Sequence, residues 1–319
     1  MNRMQATESI TLTEATLIKV MGIGCGGSNA LAYLFRHTPG GIGYISANTN
    51  TQRLVETPVP VKIQLGGKPL GPNPEMLFAR QCTEQSEPEI REALEGTMLL
   101  FMVAGIGGPT GRGAAPVIAR IAQSMGIITV GLLTLPNPAQ EPAKYEAAKI
   151  GLSELQPYCD SAMVIDTGQI EELYGAISED DKFAIINRIF QNATEATADI
   201  IAYTGIINID FNDIASILRK SNSLFISSAA AEGENRAIEA AKAALNTTLL
   251  RKQGIKGANR ILLNIQTGIY DINLDEYSEI TEMVSDAAGP FARVKCGYSM
   301  NPEMGEKIKV SVIAADFRD

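Results

Sequence analysis

Two glycine-rich segments offer the clearest chemistry in this sequence, because each follows an apolar run and precedes a helical pattern. The first, residues 22–29, carries Gly22, Gly24 and Gly27 in the spacing G-x-G-x-x-G. The second spans residues 105–116. Glycines let the backbone approach a phosphate closely at the N-terminus of a helix, where unpaired N–H groups favour an anion. Two such loops in one sheet predict phosphate binding, although tight turns would explain the same glycines without a ligand.

A nicotinamide dinucleotide site requires a residue that this sequence lacks. Such sites place an acidic side chain at the end of the second strand, where it binds the ribose. The corresponding segment reads Ala47-Asn48-Thr49-Asn50. The missing acid makes a dehydrogenase the least supported of the nucleotide-binding hypotheses.

Other reactive groups are few. The four cysteines form no CxxC pair and His37 is the single histidine, so we expect no metal site built from these residues. Asp210 and Asp213 stand three residues apart where a helical pattern begins. Carboxylates at that spacing can cap the helix or project from its end as catalytic groups, and the spacing allows both.

The elements that must position these groups alternate along the first half of the chain. Short β-branched runs alternate with amphipathic stretches, which predicts a doubly wound parallel sheet of the α/β class. Apolar residues then keep a helical period from about 180 to 203, which predicts a long buried helix. The predicted strands lie near residues 17–22, 42–47, 61–65, 97–104, 128–134 and 161–165.

Beyond residue 205 the pattern predicts a second, smaller α/β domain. Strands are expected near 223–229, 260–266, 291–297 and 308–315, with helices near 211–220, 233–245 and 275–287. We therefore divide the chain into a nucleotide-binding domain at residues 1–179, a central helix at 180–204 and a C-terminal domain at 205–319.

Composition disfavours several classes of function. Asp and Glu number 36 against 27 Lys and Arg, and the net charge of −9 disfavours nonspecific binding to nucleic acid or anionic membranes. The longest apolar runs fall short of the ~20 residues that a membrane-spanning helix needs. The N-terminal MNRMQATES has no apolar core of a secretion signal. We expect a cytoplasmic protein that neither binds nucleic acid nor inserts into a membrane.

The second glycine loop carries a resemblance to a known family. Its sequence GGPTGRGAAP resembles GGGTGTGAAP, the signature of the tubulin/FtsZ superfamily, in its bacterial cell-division branch. Further segments match in family order: IKVMGIGCGGSNA as the first phosphate loop, ISANTN as the second-strand loop, LGPNPE as a shortened third loop and GIINIDFND as the synergy loop. With AAEGENRAIEAAKAAL and GANRILLNI, the resemblance covers residues 16–316.

The resemblance implies GTP or GDP bound at one end of the subunit, with Mg²⁺ accompanying the triphosphate. It also implies head-to-tail filaments in which the synergy loop of one subunit completes the site over its neighbour's nucleotide. Catalytic roles then fall on Asn208, Asp210 and Asp213. The implied nucleotide contacts are Gly24, Cys25, Gly26, Gly27, Ser28, Asn29, Asn48, Gly107, Gly108, Thr110, Gly111, Arg112, Gly113, Gln140, Lys144, Phe183 and Arg188.

Two departures from the family pattern lie in the signature loop. Pro109 replaces a glycine and removes a backbone N–H that can face phosphate, a loss of about 1–3 kcal/mol. Arg112 replaces a threonine, and its guanidinium can return charge-assisted hydrogen bonds or act as an arginine finger in cis. An outward, solvated arginine fits the sequence equally well.

Other departures lie around the ribose and the base. The family's ribose-binding glutamate falls at Gln140 or the adjacent Glu141, and its arginine at Lys144. Thr167 stands where an asparagine contacts guanine. On the long helix Phe183 keeps the position that stacks on the base, and the guanine-reading aspartate aligns with Arg188. An arginine has only donors, so we expect weak guanine preference.

Two functions follow from these matches and departures. The first is a divergent FtsZ-like protein that binds a purine nucleotide, polymerises and hydrolyses the nucleotide slowly at a site shared between subunits. The second is a structural pseudo-GTPase that regulates or copolymerises with another FtsZ-like division GTPase. After the last predicted strand only Asp316-Phe317-Arg318-Asp319 remains, so we expect no C-terminal tail that binds a membrane adaptor.

Overall fold

A computed structural model describes residues 16–38, 40–66, 75–202, 205–221, 223–246 and 254–317. Ten strands and eleven α-helices lie in these ranges. The segment LGPNPE at residues 70–75, which resembles a shortened third loop, lies outside the described residues except for Glu75. Within the described part of the chain, no helix is long and apolar enough to cross a membrane.

The first sheet is six-stranded and all parallel, in the order β3-β2-β1-β4-β5-β6. Each strand of this sheet starts and ends within two residues of its predicted bounds. The prediction of a doubly wound α/β fold is confirmed. The strands are β1 Ile18–Ile23, β2 Ile42–Asn48, β3 Val61–Gln64, β4 Leu99–Gly105, β5 Ile128–Leu135 and β6 Ser161–Asp166. The helices of this half are α1 Gly24–His37, α2 Thr51–Glu56, α3 Met76–Gln85, α4 Glu87–Ala93, α5 Pro109–Ser124, α6 Pro142–Leu155 and α7 Thr167–Tyr174.

Burial on both faces explains why the strands read as continuous apolar runs rather than alternating ones. In β4, Phe101 lies on the face of the sheet that packs with α1 and the long helix. Met102 lies on the opposite face, which packs with α5 and α6. Successive side chains of a strand point to opposite faces. The sheet therefore carries two cores, and its carboxyl edge holds the loops that begin α1 and α5.

The long helix α8, Glu179–Ala202, lies between the two sheets. Its first turn contains Glu179, Asp180 and Asp181, which favour the positive end of the helix dipole. Its buried face, including Ile186 and Phe190, joins a core that also contains residues of β7 and β10 from the second sheet. One apolar core thus connects both halves of the chain.

The second sheet has the order β7-β10-β8-β9, in which β10 runs antiparallel to β7 and β8 while β9 runs parallel to β8. Its elements are α9 Phe211–Leu218, β7 Leu224–Ala231, α10 Arg236–Leu245, β8 Ala258–Thr267, α11 Leu274–Ala288, β9 Arg293–Met300 and β10 Ile308–Phe317. A bidentate ion pair between the buried Arg236 and Glu276 joins α10 to α11. The second, smaller α/β unit expected from the sequence is present.

Candidate nucleotide-binding site

A cavity of about 430 Å³ opens at the carboxyl edge of the first sheet. The loops after β1, β4 and β5 form its floor. The connections reverse direction between β1 and β4, and ligands of doubly wound sheets bind at such a reversal. The lining residues are Ile23, Gly24, Cys25, Gly26, Gly105, Gly107, Gly108, Pro109, Thr110, Gly111, Thr134, Leu135, Pro136, Glu141, Lys144, Thr167, Glu179 and Phe183.

Two helix N-termini point into this cavity, and both are free of acidic residues in their first turn. In α5 the first helical backbone bond runs from the Arg112 N–H to the Gly108 carbonyl, at 3.1 Å. The N–H groups of Thr110 and Gly111 precede that bond and have no acceptor within the helix. Pro109 occupies the first helical position, where its fixed φ favours the helix. The loop therefore offers two N–H donors to an anion. A third donor is missing because proline at position 109 has no backbone N–H.

The glycines of the two loops have different roles. A Cβ on Gly26 or Gly108 would approach no atom closer than 3.7 Å, so both present bare backbone to the cavity. A Cβ on Gly27 would lie 2.2 Å from the Val103 carbonyl oxygen, and one on Gly113 would lie 2.5 Å from that of Met76. These last two glycines are required by the packing of the chain against itself. Gly27 and Gly113 thus lie outside the cavity lining, although both were predicted to contact nucleotide.

Ser28 and Asn48 lie behind the first loop, where they form a buried hydrogen-bond network. The Asn48 amide donates to the Ser28 hydroxyl at 3.3 Å, and Ser28 pairs with Ser46 at 3.2 Å. Neither Ser28 nor Asn48 reaches the cavity. A buried hydrogen bond of 3.0 Å between Thr49 and Thr110 joins the second-strand loop to the signature loop. The network holds the loops in place rather than touching the ligand.

Arg112 is directed toward α6 rather than into the cavity. A Cβ on Gly151 would lie 2.8 Å from its Cγ, so its aliphatic stem crosses α6 at that glycine. Its Nε is buried and has no hydrogen-bond partner among the residues that the structure describes. This placement does not support a role for Arg112 as an arginine finger in cis. The side chain is not fully solvated either, because its Nε is buried.

On the ribose side the structure places Glu141, not Gln140, on the cavity wall. Glu141 pairs with Lys144, which also lines the cavity. Gln140 donates instead to the Glu171 carboxylate, at 2.9 and 3.1 Å. Of the two alternatives left open by the sequence, Glu141 is therefore the residue that can meet a ribose.

Next to the main cavity lies a smaller one of about 40 Å³, which shares Gly26, Gly105, Thr134 and Phe183 with it. Asn29 and Asn187 also line this recess. Arg188 lines neither cavity and is exposed. The structure therefore brings Asn187, which the sequence reasoning missed, to the position expected of Arg188.

A charged cluster around the buried Lys182, beside the cavity, was also missed. Lys182, only 6% exposed, pairs with Glu171 of α7 and donates to Glu179 at 2.6 Å. The hydrogen bond to Glu171, followed by that to Glu179, raises the pKa of Lys182, and the same Lys182 bond lowers the pKa of Glu171. Glu171 also accepts from the Asn137 amide at 2.8 Å. The cluster fixes the loop after β5, α7 and the start of α8 around the cavity.

The predicted catalytic acids begin α9. Asp210 caps the helix, and it forms a reciprocal capping box with Asp213, with both hydrogen bonds at 3.0 Å. Asn208 accepts from the Gly205 N–H at 3.4 Å. Burial would raise the pKa of Asp213, but the hydrogen bond from Lys295 and those from Asp210 outweigh it, so the pKa of that carboxyl lies below its usual value.

These acids and the cavity lie at opposite ends of α8. Glu179 and Phe183 at its start line the cavity, whereas the synergy loop follows its last residue, Ala202. A helix of 24 residues is about 36 Å long. The structure therefore places Asn208, Asp210 and Asp213 beyond the end of α8 and does not bring them to the cavity of their own subunit.

Another cavity of about 460 Å³ lies between α3, α5 and α6. It is lined by side chains such as Arg80, Glu154 and Tyr158, with no glycine backbone and no strand end. Because it has neither of the helix N-termini that the first cavity has, the cavity at the strand ends is the better candidate for a ligand that carries phosphate.

Comparison with known proteins agrees with this architecture. The profile of the Tubulin/FtsZ family, GTPase domain matches residues 17–175, and that of the FtsZ family, C-terminal domain matches residues 224–318. A cell division protein FtsZ of Wigglesworthia glossinidia brevipalpis is 34% identical over 96% of this chain and 81% of its own length. One of Coxiella burnetii is 34% identical over 93% and 78%.

Among solved structures, the empty FtsZ dimer of M. jannaschii superimposes with a TM-score of 0.81 at 28% identity. The superposition covers 95% of this chain and 89% of that one. Both halves of the chain are matched in order, and all the residues that line the cavity except Glu179 and Phe183 lie within the matched GTPase domain. The chain belongs to the tubulin/FtsZ family, in its FtsZ branch.

Proposed function

We propose that this protein binds GTP, assembles head to tail and hydrolyses GTP at a site shared between adjacent copies. The observation that carries the proposal is that the cavity lies at the start of the 24-residue helix α8, whereas the acids Asp210 and Asp213 follow its end. A second copy placed end to end brings one subunit's acids to the other's cavity. Repeating that contact produces a filament, because a head-to-tail interface that does not close continues.

The surface around the synergy loop supports such a contact. Ile206 and Ile207 are 70% and 44% exposed beside the acids, and Met300 on the adjacent strand β9 is 39% exposed. Contiguous exposed apolar side chains next to charged ones are typical of protein interfaces. We infer that this face meets the cavity end of the next subunit.

The cavity fits a nucleoside triphosphate in its chemistry. Bare backbone at Gly26 and Gly108 and the N–H groups of Thr110 and Gly111 suit the phosphates. Lys144 adds a positive charge and Glu141 a hydrogen-bond acceptor for a ribose hydroxyl. Mg²⁺ would enter with the triphosphate, held mainly by phosphate oxygens, and would neutralise their charge. We propose GTP and GDP as the bound nucleotides, in the cytoplasm where GTP is available.

In this proposal the neighbour's Asp210 and Asp213 position the attacking water. Both side chains are anchored by the capping box, so their orientation is fixed before the nucleotide arrives. A single subunit lacks these groups at its cavity. We therefore propose that hydrolysis is slow in isolated subunits and rises with assembly.

Weak guanine preference was expected from Arg188, and the exposed position of that side chain removes the basis for it. We propose instead that Asn187 contacts the base, because its amide oxygen can accept from the donors on the guanine edge. Phe183, 46% exposed and one helical turn away, offers a face for stacking. GTP is then preferred over ATP.

Replacing Asn187 with alanine is expected to lower GTP affinity about tenfold or more and to leave ATP affinity nearly unchanged. Leaving a guanine donor unpaired costs about 1–3 kcal/mol. Calorimetric titration of both nucleotides measures the change, with Arg188→Ala as the matched control on the neighbouring residue. A change in the GTP to ATP ratio in the Arg188 variant, with none in the Asn187 variant, would contradict this assignment.

The second candidate is a pseudo-GTPase that copolymerises with another FtsZ-like GTPase. One observation favours it: Thr167 lines the cavity where the family carries a guanine-contacting asparagine, while the synergy acids are retained. Such a subunit would supply Asp210 and Asp213 to a partner's nucleotide while binding little itself.

Nucleotide released from the purified, denatured protein distinguishes the two candidates. The GTPase proposal predicts about one GDP or GTP per chain, identified by chromatography. It also predicts turnover per subunit that rises steeply with protein concentration, because a head-to-tail contact completes each site. Protein without bound nucleotide, and without turnover at any concentration, would favour the pseudo-GTPase.

A further inference from the structure

Lys295 lies on β9, an edge strand of the second sheet, and its ammonium pairs with the carboxylate of Asp213. Its side chain remains 52% exposed, whereas that of Asp213 is 21% exposed. A cation held at the solvent side of a proposed catalytic acid has no role in the function described above. Neither of the two capping-box hydrogen bonds requires it.

Backbone contacts between the synergy loop and β9 hold Lys295 beside the acids. Ile207 and Tyr298 exchange two backbone hydrogen bonds, of 3.2 and 3.0 Å, which seat the synergy loop against β9. A Cβ on Gly297 would lie 2.3 Å from Ile209 Cδ1, so the loop and the strand are in direct contact. Lys295 is therefore presented at the same face as the acids.

The charges at the proposed junction present a difficulty that Lys295 resolves. Bringing Asp210 and Asp213 against a triphosphate places like charges together, which opposes association. A lysine ammonium beside them lowers this repulsion. It also has three donors, of which one carboxylate oxygen uses only one. A triphosphate carries more negative charge than a single carboxylate and competes for the ammonium.

We propose that Lys295 acts on the nucleoside triphosphate of the neighbouring subunit, moving from Asp213 to the terminal phosphate as the junction closes. This inference rests on the shared site proposed above. When Lys295 leaves Asp213 for the phosphate, the Asp213 carboxylate is free to orient water. Asp213 therefore becomes active only when two subunits assemble. Lys295 is then a catalytic residue supplied in trans, comparable in role to an arginine finger.

The reaction balances without proton transfer by the lysine. The water oxygen forms a bond to the γ-phosphorus while the bond to the β–γ bridging oxygen breaks, and that oxygen keeps the electron pair as GDP leaves. The water's protons pass to the inorganic phosphate and to solvent. Lys295 stays protonated throughout, and its ammonium stabilises the charge that accumulates on the transferring group.

Replacing Lys295 with methionine tests the proposal, because methionine keeps the length of the stem and removes the charge. We expect GTP turnover per assembled subunit to fall about tenfold or more, with Lys295→Arg within about threefold of wild type. Arg293→Met removes an exposed cation two residues along the same strand and is expected to leave turnover unchanged. Unchanged turnover in Lys295→Met would overturn the proposal. Increased turnover would do so as well, because it would make Lys295 only an inhibitor of Asp213.

A double-mutant cycle separates contact with phosphate from an effect through Asp213 alone. If Lys295 touches the phosphate, Lys295→Met lowers turnover further in an Asp213→Asn background. No further loss in that background would reduce Lys295 to a positioning residue and overturn the assignment. Wild-type turnover that does not rise with protein concentration would instead show that the shared site itself is wrong.

Discussion

Replacing Gly26 with leucine is expected to abolish GTP binding, with an affinity at least a hundredfold lower, while the protein stays folded. Gly26 lines the cavity, and a Cβ there would lie 3.7 Å or more from its neighbours. The Cβ of a leucine therefore fits at this position, and we expect the rest of its side chain to extend into the space proposed for phosphate. A hundredfold loss corresponds to about 2.8 kcal/mol. Calorimetric titration with GTP and GDP measures it.

The adjacent Gly27 provides a matched control with the opposite outcome. A Cβ there would lie 2.2 Å from the Val103 carbonyl oxygen, so even Gly27→Ala must displace backbone. We expect it to destabilise the protein by about 1–3 kcal/mol or more, measured by chemical unfolding. If Gly26→Leu binds GTP normally, or unfolds as Gly27→Ala does, the assignment of this loop to phosphate is wrong.

Replacing Asp210 with asparagine is expected to lower GTP turnover about 10²–10³-fold, the range seen when one preorganised polar group is removed from an active site. Asparagine keeps the side-chain oxygen that accepts from the Asp213 N–H, so the cap of α9 survives. Nucleotide affinity should not change, because Asp210 does not line the cavity of its own subunit, which lies at the other end of α8. Steady-state turnover above the assembly concentration measures the effect.

Asp210→Ser serves as a second variant for the same site, since serine also caps helices well but has a different shape. Both variants should melt within a few degrees of wild type and bind GTP as wild type does. Turnover close to wild type in both would mean that the Asp210 carboxylate acts only as a helix cap.

The sheet was predictable because buried parallel strands leave a strong pattern. β4 is apolar throughout and β5 is apolar except for Thr129 and Thr134, and the loops between strands and helices carry glycine where the chain must turn. The sequence did not show which glycines face the cavity and which are required by close packing. The partner that forbids a side chain at Gly27 is Val103, 76 residues further along the chain.

The proposed base contact at Asn187 could have been predicted from the helical period of α8. Residues four apart on a helix differ by about 40° in direction and residues five apart by about 140°. Phe183 and Asn187 therefore share a face, whereas Arg188 points elsewhere, as its exposure shows. The helical period places Asn187 at the smaller cavity, whereas the resemblance aligned Arg188 with the guanine-reading aspartate.

Two ion pairs of the site left no sequence signal. Lys182 meets Glu171 across two helices, and Lys295 meets Asp213 across 82 residues of chain. Neither spacing follows a local rule such as the i,i+4 pairing within a helix. Only the tertiary structure shows that the acid beside the synergy loop already has a cation.

The most direct test of the shared site is GTP turnover in an equal mixture of Asp210→Asn and Gly26→Leu. The first variant keeps its cavity and the second keeps its acids, so a junction that joins the two in one order is complete. If subunits mix at random, about a quarter of head-to-tail junctions are active, and turnover should rise far above that of either variant alone. Turnover equal to the average of the two separate variants, alongside an active wild type, would contradict the shared site.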